Sequence, residues 1–332
     1  MSTRKWGVAA ENANQRWSSR EGRLLRLTDA DGTVGWGEAS PLPGYIEETV
    51  ESVDRAFADW RAGWTQLQID EGGDAARQID AIVTRVASGG SPSSAFAIET
   101  ALWDVWARRQ SRPLAEVWGA SADTRVSTAM LVDVLSPRAW PSTPSAVVKM
   151  KVGRPGQWRE ELQGLRQWHA RFSDVEVRLD ANRAFAPVAA ADRLHDLQKL
   201  SKEGLKIDFI EEPSMLPWPS TSLPLAQDES LRTGEVLPHI AAVVVKPTVL
   251  GGLFAADRWR KAGHRVVMSH TFEGPVAHAA LSAWALAFAS NETAGLGAHA
   301  GVFDWTDFVP QHLDGRSLRV PKQPGLGLAV AS

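Results

Sequence analysis

The chain contains no cysteine in 332 residues. That absence excludes disulfides, thiolate nucleophiles and cysteine-ligated metals, and it fits a reducing compartment. Neither sign of charge dominates: 36 Lys and Arg stand against 39 Asp and Glu, a formal balance of −3. Such a surface offers no basic face to nucleic acid or to an anionic membrane. Long apolar runs are missing too. The longest, GPVAHAALSAWALAFAS at 274–290, is too short and interrupted for a membrane span and reads as a buried helix. The opening MSTRKWGVAAENANQRW lacks the apolar stretch of a signal peptide. The expectation is a soluble cytoplasmic protein with a small-molecule partner; oligomeric state is left open.

The chain has the length for one large α/β barrel or two domains. Near its start, GRLLRLTDADGTVGWGEAS alternates around Asp31-Gly32 as a hairpin does. Residues 46–62 and 74–87 carry helical periodicity. SPSSAFAIETALWDVWARRQ reads as a strong helix, opened by a Ser/Pro cluster and followed by Pro113. This portion predicts a small α+β domain.

From about residue 125 the pattern becomes eight short apolar runs, each ending in polar residues: RVSTAMLV, AVVKMKV, VEVRLDAN, IDFIEEP, PLAQDES, AAVVVKP, HRVVMSH and AGLGAH. Near-continuous apolar runs suit strands covered on both faces. Helical segments at 157–172, 188–203 and 276–289 separate several of them. The fold expected is a (β/α)8-type, modified TIM barrel, compact for its class, with an α+β capping domain. Residues 1–118 would form the cap and its linking helix, 119–300 the barrel, and 301–332 a segment returning to the cap. Pro-rich SPRAWPSTPS and SMLPWPSTSLP stand where helices belong, so loops or single turns are expected there.

Barrel chemistry sits where strands end. The second run ends in Lys149 and Lys151, which share a face because strand residues alternate with period two. The third carries Asp180 and Asn182, the fourth Glu211, the fifth Asp228 beside Glu229, and the sixth Lys246. Eight strands stand about 45° apart, so the lysines of strands two and six face each other. Three carboxylates lie on the arc between them. Adjacent carboxylates repel unless a cation sits among them, and an oxygen-only set favours Mg²⁺ or Mn²⁺ over zinc. Held by Asp180, Glu211 and Asp228, such an ion would stabilise the charge that develops when a carboxylate loses its α-proton. Lys151, nearer the strand's end, suits the general base, with Lys149 crowding it toward neutrality. Lys246 is a second base or a fixed cation. Taken singly, Lys-x-Lys is usually a solvated face, Glu-Glu-Pro a strand terminus and Asp-Glu-Ser a helix cap. Together, on consecutive strands, they make a site.

The set Lys149-x-Lys151, DAN at 180–182, IEEP at 210–213, DES at 228–230 and VKPTVLGG at 245–252 resembles the enolase superfamily, and within it the muconate lactonizing subgroup. The resemblance implies metal ligation by Asp180, Glu211 and Asp228, and a base at Lys151. It implies an opposing lysine at Lys246 and supporting roles for Lys149, Asn182 and Glu229. It also implies a cap that closes the barrel mouth, with residues 14–20 and Gly44-Tyr45 as candidate substrate contacts. REGRLLRLTDADGTVGWGEASPLPGYIEET is similar to the opening of the o-succinylbenzoate synthase family. The implied reaction is Mg²⁺-dependent syn-elimination of water from a succinyl-bearing hydroxycyclohexadiene carboxylate through an enediolate, a lyase step of menaquinone synthesis. Two rivals use the same scaffold, N-acylamino acid racemase and dipeptide epimerase. The epimerase's acidic pair near strand eight is not matched by Asp304 and Asp307. His270 reads as structural or as a loop residue, because strand six carries Lys246. A barrel that no longer catalyses is the rival of another class, and it predicts a lost ligand or lysine where none is lost.

Overall fold

The computed structural model describes residues 1–11, 16–62, 69–70, 73–87 and 91–330; the early part of the 14–20 stretch falls outside them. Three antiparallel strands, Ser2–Glu11, Arg16–Thr28 and Val34–Ala39, open the chain in that order across the sheet. The turn at Asp31-Gly32 joins the last two, with Thr28 opposite Val34. Helices Val50–Ala62, Ala75–Ala87 and Pro92–Arg109 follow. The last of these is buried nearly all round and lies directly on the third strand. Two glycines permit that approach: a Cβ at Gly37 would meet the Ala97 carbonyl oxygen at 1.9 Å, and one at Gly35 the Ala101 oxygen at 2.3 Å.

Seven parallel strands follow, hydrogen-bonded in chain order: Met130–Leu131, Val147–Lys151, Glu176–Asp180, Ile207–Glu211, Leu225–Gln227, Ala242–Val245 and Val266–Met268. They are called barrel strands one to seven below. The eighth run, AGLGAH, makes no ladder of its own. Ala294 bridges Thr128 and Gly295 bridges Ser269, both in parallel, so this segment closes the seam between strands seven and one. Glycine at 295 and 297 offers no side chain to pack and weakens a strand, which accounts for the reduced pairing. The first run also splits. Arg125–Ser127 turns away to pair antiparallel with Ser317–Arg319, leaving two residues in the barrel sheet.

Helices Trp158–Arg171, Pro187–Lys202, Leu253–Lys261 and Pro275–Phe288 pack on the outside of the barrel. The two proline-rich stretches make no helix beyond a single turn at Pro137–Ala139. One large apolar cluster runs from the cap strands through helix Pro92–Arg109 to helix Pro275–Phe288, and another fills the space around strands one to four. Most of the tryptophans, including Trp103, Trp168 and Trp284, are core filling in these clusters. The final segment folds back on the beginning of the chain: Arg4 pairs with Asp307 at 2.5 Å, and the Gly7 amide donates to Asp304 at 3.0 Å. Among the described residues no helix is long and apolar enough to cross a membrane.

Candidate active site

Lys149, Lys151, Asp180, Asn182 and Lys246 line one cavity of about 400 Å³ at the C-terminal ends of the barrel strands. The register explains the convergence. Lys151 lies level with Asp180, and Asp180 level with Glu211, along three adjacent parallel strands. Lys149 Nζ sits between two of the acids, 2.9 Å from Asp180 Oδ2 and 2.7 Å from Glu211 Oε2. Lys246 pairs with Asp228. Asn182 Nδ2 donates to Glu229 Oε1 at 3.1 Å, and the Asn182 amide to Asp180 Oδ1 at 3.0 Å.

The electrostatics separate the three lysines. Burial alone would discharge each of them. For Lys149, Asp180 and Glu211 outweigh that cost and raise its pKa; for Lys246, Asp228, Glu211 and Glu229 do the same. Lys151 goes the other way. Its burial, reinforced by repulsion from Lys149 and Lys246, lowers its pKa despite the pull of Asp180. Among the carboxylates, burial and the neighbouring Asp180 push Glu211 up to about 8. Burial also raises Asp228 against the attraction of Lys246. Asp180 ends below its ordinary range because the lysines, Lys149 first, outweigh its burial.

Among the described residues no three acidic or imidazole groups converge as a ready-made metal cage; an ammonium stands among the acids instead. The donor set nonetheless suits a hard divalent cation. All three groups are carboxylates, all are buried, and two are held above their ordinary pKa, Glu211 by burial, Asp180 and Asp228, and Asp228 by burial and Glu229. Added positive charge relieves that condition, and oxygen ligands are what Mg²⁺ takes.

The second glutamate of IEEP turns aside. Glu212, at φ 43°, is buried and accepts from the Asp228 amide at 2.9 Å, the Ser230 amide at 2.8 Å and Arg183 Nε at 2.9 Å. It holds the end of strand five while Glu211 pairs with Lys149. Asn182 and Arg183, at φ 42° and 65°, complete a run of strained turns at the ends of strands three and four, as functional sites often store. The cap contributes Tyr45. Its hydroxyl donates to Asp228 Oδ1 at 3.1 Å and accepts from Lys246 Nζ at 3.1 Å. Asp304 and Asp307 lie away from the site, bound to the first cap strand. Sequence reasoning passed over Ser269 and His299 and read His270 as structural or a loop residue; all three line the cavity, and the available signal was their place at the ends of runs seven and eight.

Residues 143–332 match the family described as enolase C-terminal domain-like. The chain belongs to the enolase superfamily. Residues 10–105 match a second family, the MenC N-terminal domain. Within the superfamily the chain is 30% identical over 292 residues to the o-succinylbenzoate synthase of Citrobacter koseri, an alignment covering 82% of this chain and 81% of that one. Among solved structures it is similar to a muconate lactonizing enzyme from Mycobacterium smegmatis, with TM-score 0.80, 22% identity and coverage of 98% and 94%. It is also similar to a dipeptide epimerase from Methylococcus capsulatus, complexed with Mg and the dipeptide L-Arg-D-Lys, with TM-score 0.77, 25% identity and coverage of 99% and 98%. The modified TIM barrel with its cap is thus the superfamily's architecture, shared with the muconate lactonizing enzyme.

Proposed function

We propose that the chain is an o-succinylbenzoate synthase, a Mg²⁺-dependent lyase that removes water from a succinyl-bearing hydroxycyclohexadiene carboxylate. The observation that carries the mechanism is the split among the lysines: Lys151 alone is pushed toward the neutral form, while Lys149 and Lys246 are held charged. Groups whose surroundings drive their pKa values apart mark the acid and base assignments. A neutral Lys151 Nζ takes the proton α to the substrate carboxylate. The resulting ammonium, on the same face, returns that proton to the departing hydroxyl, so the elimination is syn and the lysine ends as it began. Lys246 stays cationic across the cavity, fixed by Asp228 and Tyr45, and faces the electron-rich ring. Asp180, Glu211 and Asp228 are the residues that would hold Mg²⁺. Bound there, the ion supplies positive charge where the substrate carboxylate becomes doubly negative. Lys149 stabilises the two acids it touches and, through its charge, keeps Lys151 poised.

Racemisation or epimerisation on this scaffold needs a working base on each face, and Lys246, held charged by Asp228, is poorly placed to supply the second. The test is turnover of the cyclohexadiene substrate by purified protein in Mg²⁺, run beside exchange of the α-proton of N-succinyl amino acids in deuterated solvent. Rapid dehydration that stops on adding a chelator is the expected result. Lys151→Ala should lose about 10²–10⁴-fold or more in kcat with its circular dichroism unchanged. A variant that retains near-normal rates removes Lys151 as the base, and exchange without dehydration replaces the synthase by a racemase.

A further inference from the structure

The chemistry above engages barrel strands two to six. The cavity is also walled by strand seven and the seam segment, where Ser269, His270, Gly295, Gly297 and His299 face it. The elimination itself uses none of these. The glycines make the room: a methyl group at Gly295 would fall 2.8 Å from Ser269 Oγ, and one at Gly297 3.2 Å from the Ala129 carbonyl oxygen. At this wall the rings of His270 and His299 lie 4.6 Å apart.

Hydrogen bonding fixes what His270 presents. The Phe272 amide donates to His270 Nδ1 at 3.0 Å, so that nitrogen carries the lone pair. Burial, with His278, Lys246, Lys149 and Arg20 nearby, holds the ring well below the ordinary imidazole pKa. His270 is therefore neutral, with its one proton on Nε2. The backbone enforces the arrangement, since Phe272 adopts φ 62° to direct its amide at the ring. The imidazoles behind are committed elsewhere. His278 Nε2 meets the Leu296 carbonyl at 3.2 Å, which only accepts, so its Nδ1 accepts from His312 Nε2 at 2.9 Å. His299 differs: both its ring nitrogens are buried and without a hydrogen-bond partner among the described residues. A buried N–H left unpaired is costly, and a ligand oxygen removes the cost.

We propose that His270 and His299 bind the oxygens of the substrate's succinyl arm through uncharged N–H donors, and so select substrates that carry this arm. The inference rests on the synthase reading for its preferred substrate, although N-succinyl amino acids carry the same arm. The arm takes no part in bond breaking. It brings a carbonyl and a carboxylate, both acceptors, to a wall of the cavity where the His299 ring nitrogens stand without a partner among the described residues. Neutral donors hold it without adding a further cation to the cavity, which would leave the reacting carboxylate less distinguished from the remote one.

The experiment follows the imidazole nitrogens of ¹⁵N-histidine-labelled protein with Mg²⁺ while o-succinylbenzoate, an N-succinyl amino acid, or benzoate is added. The two succinyl ligands should shift the Nε2–H signal of His270 and the ring signals of His299, and benzoate should not. In kinetics, His270→Phe should raise KM by roughly tenfold or more, the value of one hydrogen bond to a charged or strongly polar acceptor. His270→Gln, which restores an N–H donor, should recover most of that loss. A folding defect would instead appear in the circular dichroism of the Phe variant and would not be rescued by Gln. Unshifted imidazole signals with a bound succinyl ligand, or an unchanged KM in His270→Phe, overturns the proposal, as does failure of both succinyl ligands to bind. Binding of the N-succinyl amino acid with no dehydration of the cyclohexadiene overturns the synthase reading alone.

Discussion

Tyr45 is the only tyrosine in the chain, and its hydroxyl stands between an ammonium and a carboxylate, Lys246 and Asp228. Hydrogen bonds to charged groups contribute about 1.5–3 kcal/mol, and in the proposed reaction those around Lys246 are felt in the transition state. Tyr45→Phe should therefore lower kcat/KM by roughly tenfold or more while the melting temperature changes little; steady-state kinetics beside a thermal melt checks both. Residues of this kind were unevenly legible in the sequence. Lys149, Lys151, Asp180, Glu211, Asp228 and Lys246 showed themselves because strand ends recur at a readable spacing and an eightfold ring fixes who faces whom. Tyr45 was visible only as part of a candidate cap contact, since its partners lie some two hundred residues further on. His270 was read as structural because strand six already carried a lysine. Its donor role depends on a loop that bends an amide back onto the ring, and loop dihedrals leave no periodic trace.

Helices in this protein are capped from a distance. The amides of Leu253 and Phe254, which open helix Leu253–Lys261, donate to Glu99 at 2.6 and 3.1 Å. Those of Gly274 and Ala277, at the start of helix Pro275–Phe288, donate to Glu38 at 2.6 and 3.0 Å. Both glutamates come from the cap portion of the chain, and both are fully buried. The helices were legible from periodicity, but their caps were not, because Gly252 and Gly274 occupy the positions where a local Ser or Asp would announce one. Burial costs Glu99 more than its two amide bonds return, and its pKa rises to about 8. The folded chain thus keeps a proton that the unfolded chain releases near pH 4.3. Stability falls as pH climbs from that value to about 8 and the penalty is complete above it. Glu99→Gln removes this titration at the cost of one acceptor. The difference in melting temperature, variant minus wild type, should grow more positive between pH 5 and pH 8.5, and a difference that stays flat across that range would count against the assignment.

At the scale of the whole molecule the barrel closes by two devices. The seam segment supplies only a few backbone bonds, with Ala129 donating to Ala294 at 2.9 Å and Gly295 to Met268 at 2.8 Å. Beside it, Arg178 pairs with Asp208 at 2.7 Å and with Glu292 at 2.6 Å. Arg265 reaches the same two acids at 2.7 Å each. Both guanidinium groups also lie over Phe209. Arg178→Met would leave acids facing one cation where they now face two. Breaking a buried network of this kind costs about 3–5 kcal/mol, so the melting temperature should fall by several degrees while kcat at moderate temperature stays close to wild type. A calorimetric scan and one rate measurement decide it. The eight runs announced the barrel, but not that one would close as isolated bridges, because short pairing and a distant ionic lock are properties of the assembled ring.

The same long-range ties govern when the protein can become itself. Arg20 bonds to the Thr271 carbonyl, Glu38 to the amides near residue 275, and Arg4 to Asp307, so the packing of the opening sheet, begun on helix Pro92–Arg109, is completed only by the last quarter of the chain. On a ribosome those first strands emerge early, and the ties to residues 271–307 must wait until almost everything else has been made. Trimming even the final thirty residues would therefore be expected to damage the beginning of the molecule as much as its end.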